Sequence, residues 1–69
     1  MDKAIADYDA ALEIDGSFTG ALTGRGLAYQ AKGETDKARA HFDAAIDGQP
    51  SYFDGQEQQA VAQRALASL

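Results

Sequence analysis

Apolar residues recur every three or four positions along most of this chain. Over residues 2–14, Ala4, Ile5, Tyr8, Ala11 and Leu12 fall on one side, with Asp7, Asp9 and Glu13 opposite. That spacing predicts a one-sided helix. Asp15-Gly16-Ser17 ends it. Gly16 suits a left-handed cap position, and Ser17 or Thr19 can cap the next helix. A second helix is predicted over residues 19–32, with Ala21, Leu22, Leu27, Ala28, Tyr29 and Ala31 as its apolar set. Gly20, Gly24 and Gly26 weaken it, since a glycine costs about 1 kcal/mol against alanine inside a helix. Lys32-Gly33-Glu34 reads as a tight turn. A third helix over residues 35–47 carries Ala38, Phe42, Ala45 and Ile46 on one face. Gly48-Gln49-Pro50-Ser51 closes it, because proline cannot continue a helix. A fourth is predicted over residues 52–69. No strand pattern competes, so the expected class is all-α with four helices.

The chain also resembles itself. Residues 2–18 laid over residues 36–52, a shift of 34, give eight identities in seventeen positions. Asp2-Lys3-Ala4 meets Asp36-Lys37-Ala38, Asp9-Ala10-Ala11 meets Asp43-Ala44-Ala45, and Ser17 meets Ser51. Tyr8 pairs with Phe42, Leu12 with Ile46 and Phe18 with Tyr52. Helix composition alone gives alanine matches, but not the aromatic, the acid and the serine together. Self-similarity at such a period marks a repeat architecture.

Paired helices repeating every 34 residues resemble the tetratricopeptide repeat. Leu22, Gly26, Ala28, Tyr29, Gly33, Ala38, Phe42, Ala45 and Pro50 carry the resemblance. It implies antiparallel helix-turn-helix units stacked into an α–α superhelix. Gly26 would let two helices approach, Tyr29 would pack between them, Ala38 would face it, and Phe42 would fill the far side. The expected layout is residues 1–18 as the second helix of a preceding unit, 19–52 as a complete unit, and 53–69 as a C-terminal capping helix. Arg25 departs from the pattern, and its stem should pack with its head reaching solvent or an acid.

The resemblance implies a protein-binding scaffold in which the first helix of each unit lines a groove. Here that points to Gly20, Thr23, Gly24, Leu27 and Gln30, then Asp54, Glu57, Gln58, Val61 and Arg64. The strongest candidates for partner contact are Thr23, Leu27, Gln30, Glu57, Val61 and Arg64. The chain has no asparagine, so a lysine–asparagine clamp for carboxylates is not expected. The two ends differ. Helix one keeps Ile5, Tyr8 and Leu12, the residues of a mid-array helix, without the helix that would precede it. Helix four places Gln56, Gln59 and Gln63 where helix two has Leu22, Arg25 and Tyr29. The expectation is a finished C-terminal end and an open N-terminal one, as at the end of a longer array. The alternative is self-association through Ile5, Tyr8 and Leu12, completing the open face with a second copy.

Composition narrows the chemistry. The chain has 69 residues, fifteen of them alanine, no cysteine and a single histidine. No disulfide framework and no thiolate metal site is available, and no cofactor is implied. The net charge is −5, which opposes binding to nucleic acid or to an anionic membrane. No apolar run approaches the roughly 20 residues of a membrane span, and a cytoplasmic location is expected. His41 reads as a solvated surface residue. Asp7 and Asp9 do not share a helix face; Asp43 and Asp47 do, as solvent charge. Gly24-Arg25-Gly26 lacks the strand and third glycine of a dinucleotide fingerprint. The glycines of helix two could instead form a smooth groove floor. With no convergent set of reactive groups, no enzyme is expected.

Overall fold

The computed structural model describes residues 2–50 and 54–69. Four helices follow one another: α1 (Asp2–Ile14), α2 (Thr19–Ala31), α3 (Thr35–Asp47) and α4 (Gly55–Ala67). The first three match the bounds that periodicity and breakers predict, within a residue. α4 is shorter than expected at both ends. Ser51, Tyr52 and Phe53 lie outside the described residues, as does the expected boundary at residue 52.

The helices stack in chain order with α2 at the centre. α2 packs on α1, α3 and α4, while α3 packs on α2 and α4. α1 and α3 do not pack against each other. The row holding α2 and α4 is therefore closed, and the row holding α1 and α3 is splayed. The core lies between α2, α3 and α4. Leu22, Ala38, Phe42, Ala45 and Ala62 form it, with Leu12, Tyr29, Ile46, Leu66 and Leu69 packed around them. Phe42 is fully buried, and burial of one such side chain contributes about 1.5–3 kcal/mol. Its ring lies against Gly26, where a Cβ would come within 2.6 Å of Cε1. Glycine suits this position because a side chain there would press on the buried ring.

The helix ends show what local sequence misses. α2 ends in a Schellman motif: the Glu34 amide donates to the Tyr29 carbonyl at 2.9 Å and the Gly33 amide to that of Gln30 at 3.0 Å. Gly33 has φ +82°, a conformation open to glycine and costly for other residues. Gly16 does not adopt it; among the described residues Gly33 alone does. α1 ends instead through Asp15, whose carboxylate accepts from the Ser17 amide at 3.0 Å and the Ser17 hydroxyl at 2.8 Å. The N-cap of α2 is Phe18 rather than Ser17 or Thr19. Thr19 lies inside the helix, buried, with its hydroxyl toward the Gln49 carbonyl at 3.5 Å.

Gln59 also departs from expectation. Its side-chain amide points at the end of α3, donating to the carbonyls of Gly48 at 2.7 Å and Ala45 at 3.0 Å. It caps α3 from a different helix, so the three glutamines do not form one outward polar face. Gln56 and Gln63 remain exposed.

Candidate groove on the α2 face

An open groove of about 490 Å³ runs along α2, with α1 and α4 as its walls. Gly20, Ala21, Gly24 and Leu27 make the floor. Asp7, Tyr8 and Ala11 stand on the α1 side, and Asp54 and Gln58 on the α4 side, with Phe18 at the end. The floor is the strip of α2 left between its contacts with α1 and α4. Leu27 is 41% exposed, a large apolar side chain left in the groove without a covering helix.

The glycines of the floor are spent inside the molecule. A Cβ on Gly24 would lie 2.4 Å from Cζ of Tyr8, so the tyrosine ring rests directly on the α2 backbone. Gly20 has more room: a Cβ there would stand 3.4 Å from Phe18 Cε1 and 3.7 Å from Gln58 Cγ. The smooth floor expected from these glycines is thus partly covered by an aromatic ring.

The expected contact residues divide. Leu27 lines the groove. Thr23 does not: it is fully buried, and its hydroxyl donates to the Gln58 carbonyl of α4 at 3.2 Å. A side chain sealed between two helices cannot meet a partner, so Thr23 is a tie between α2 and α4. Gln30 is half-buried and does not line it. Glu57 and Arg64 are exposed on α4 and Val61 is half-buried; none of the three lines it. Asp7, Tyr8, Ala11 and Phe18 were not expected in the groove. The one sequence signal for Tyr8 was a glycine in the middle of a helix at position 24, which marks close approach of another group.

Ile5, Tyr8 and Leu12 are each half-buried. Tyr8 turns to the groove and Leu12 to the core, so the apolar stripe of α1 straddles α2 and is not a single open face.

On the opposite side of α2 a second cleft, of about 660 Å³, lies between α1 and α3. Asp9, Leu12, Glu13, Arg25, Tyr29, Lys37 and His41 line it. Arg25 pairs with Asp9 of α1, as its departure from the repeat pattern suggested, and its Nε is buried without a hydrogen-bond partner. His41 is not simply solvated. Its ring packs on Tyr29 with centroids 5.1 Å apart, and its Nδ1–H donates to the Lys37 carbonyl at 2.7 Å. Lys37 sits 5.4 Å from the centre of the Tyr29 ring, close enough for a cation–π contact. Acids and bases thus line this cleft together. At the end of α2, Lys32 donates to Asp2 at 3.1 Å. That hydrogen bond and the neighbouring negative charge raise the Lys32 pKa above its usual value.

Among the described residues, no group of three or more histidine, cysteine or acidic side chains could hold a metal ion, and no helix is long and apolar enough to cross a membrane. The sequence profile of the tetratricopeptide repeat matches residues 19–52. That family generally mediates protein–protein interaction and is typically non-catalytic. No curated protein and no solved structure matches the chain.

Proposed function

Since residues 19–52 of this chain are a tetratricopeptide repeat, we propose that it is a protein–protein interaction module that seats a peptide or helix of a partner in the groove along α2. The observation that carries this reading is Leu27, exposed at the floor of a groove walled by two helices. Docking of an amphipathic segment into such a groove is a familiar recognition mode. The reading gives the protein no catalytic step, no cofactor and no role at nucleic acid or membrane. Exposed Gln56 and Gln63 give α4 a polar outer side suited to a cap. The test is a displayed library of random peptides selected on the wild-type protein. Selected peptides should lose binding to Leu27→Asp and keep it on Ile14→Asp, since Ile14 is 88% exposed and outside the groove. Peptides that bind both variants equally, or none selected at all, would sink the reading.

A second reading is self-association through α1, and one comparison favours it. The α1 residues equivalent to Ala38, Phe42 and Ala45 under the 34-residue shift are Ala4, Tyr8 and Ala11. The first three are fully buried, the second three half-buried. A second copy would supply the missing cover. Light scattering across a dilution series decides: a mass that falls on dilution supports it, and a constant monomer mass removes it.

A further inference from the structure

We propose that the groove along α2 takes a cationic, apolar-anchored segment of a partner protein, with a lysine or arginine held between Asp7 and Asp54 and an apolar side chain on Leu27. This rests on the reading of the groove as the docking site. The wall residues Asp7 and Asp54 are the carboxylates that line it, and no lysine or arginine is among the lining residues. Among the described residues neither carboxylate is paired with a cation. Asp54 is the N-cap residue of α4, yet its side chain makes no capping hydrogen bond. One carboxylate oxygen instead lies toward the floor, 3.9 Å from where a Cβ of Gly20 would stand.

Two uncompensated acids at the rim of an apolar floor ask for an amphipathic cation. An anionic partner would meet repulsion from both walls and from the net charge of −5. The apolar floor favours a peptide over a small polyamine, because Leu27, Ala11 and Phe18 gain only from an apolar group. The cleft on the other side of α2 makes no such demand, because its acids Asp9 and Glu13 share it with Arg25 and Lys37.

The test uses three short amphipathic peptides with the same leucine and alanine positions, and lysine, glutamine or glutamate at the remaining ones. Binding is followed by NMR titration of the backbone amides, with the shifts of Gly20, Gly24 and Leu27 as the groove signature. The lysine peptide should bind roughly five- to tenfold tighter than the glutamine peptide, the sum of two partly exposed charge pairs. The glutamate peptide should bind weakest. Asp7→Asn with Asp54→Asn should bring the lysine peptide down to the glutamine level while the glutamine peptide is unchanged, and added salt should erode the preference. Equal binding of lysine and glutamine peptides at the groove, or a preference that survives the double substitution, overturns the cationic assignment and leaves the groove standing. Shifts that avoid the groove with every peptide overturn both.

Discussion

At the scale of single residues, Gly20 and Gly26 lie on the same helix and would receive an alanine differently. A methyl at Gly26 would stand 2.6 Å from Phe42 Cε1, and Phe42 is enclosed on all sides. Overpacking of this kind costs about 1–3 kcal/mol, set against about 1 kcal/mol of gained helix propensity. A methyl at Gly20 meets the Phe18 side chain at 3.4 Å, a contact a small ring shift relieves. Gly26→Ala should therefore destabilise by up to about 2 kcal/mol, whereas Gly20→Ala should be neutral or stabilise by about 0.5 kcal/mol. Urea unfolding midpoints measure both. A Gly26→Ala variant more stable than the wild type would mean that Phe42 does not pin α3 to α2. The sequence held part of this contrast. The repeat pattern singled out position 26 as the close approach. It places position 24 on the groove face but not under the ring of Tyr8, which fills the space a side chain would need.

At the scale of the element, each helix is legible from its apolar period, and the groups that cap it are not. Period and breakers act within one segment, so α1, α2 and α3 fall where the sequence puts them. Caps depend on what else is near. Ser17 and Thr19 are good capping residues, but one bonds to Asp15 and the other faces Gln49. The glutamines of α4 share a helical face, but a polar stripe does not say whether water or another helix lies opposite. For Gln59 it is the carbonyl end of α3. Those carbonyls carry the negative end of the helix dipole, and the amide supplies two protons to them. Gln59→Ala should cost about 1–2 kcal/mol, the loss of two neutral hydrogen bonds at a partly exposed site. Gln59→Glu should cost more, because a carboxylate brings negative charge and acceptors alone to acceptors. Thermal melts of the two variants check the order. A glutamate variant as stable as wild type would show that the side chain turns to solvent and the α3 cap is dispensable.

At the scale of the whole molecule, α2, α3 and α4 share one core, and α1 joins it at the edge through Leu12. Stability in such an array is a sum of interfaces between adjacent units, and here the interfaces are unequal. α3 is packed from both sides by α2 and α4 and holds the fully buried Ala38, Phe42 and Ala45. α1 rests on α2 alone and has no fully buried residue. The same arrangement explains which parts of the groove were readable. Gly20, Gly24, Leu27, Asp54 and Gln58 belong to two helices one repeat apart, so the period places them together. Asp7, Tyr8 and Ala11 enter through the crossing of α1 over α2, which no single-helix pattern encodes. Thr23 shares the face of its neighbours but falls on the line where α4 closes down. The groove is thus built with one firm wall and one loosely held wall. Surface ion pairs such as Lys32–Asp2 add little to hold α1. Native-state hydrogen exchange should therefore find α1 opening at a lower free energy than α3, with the amides of Ala38, Phe42 and Ala45 the slowest in the chain. Leu12→Ala should speed exchange in α1 and leave those three amides nearly unchanged. Equal protection of α1 and α3, lost together in that variant, would mean that the four helices open as one unit, and the α1 wall of the groove would then be as rigid as its floor.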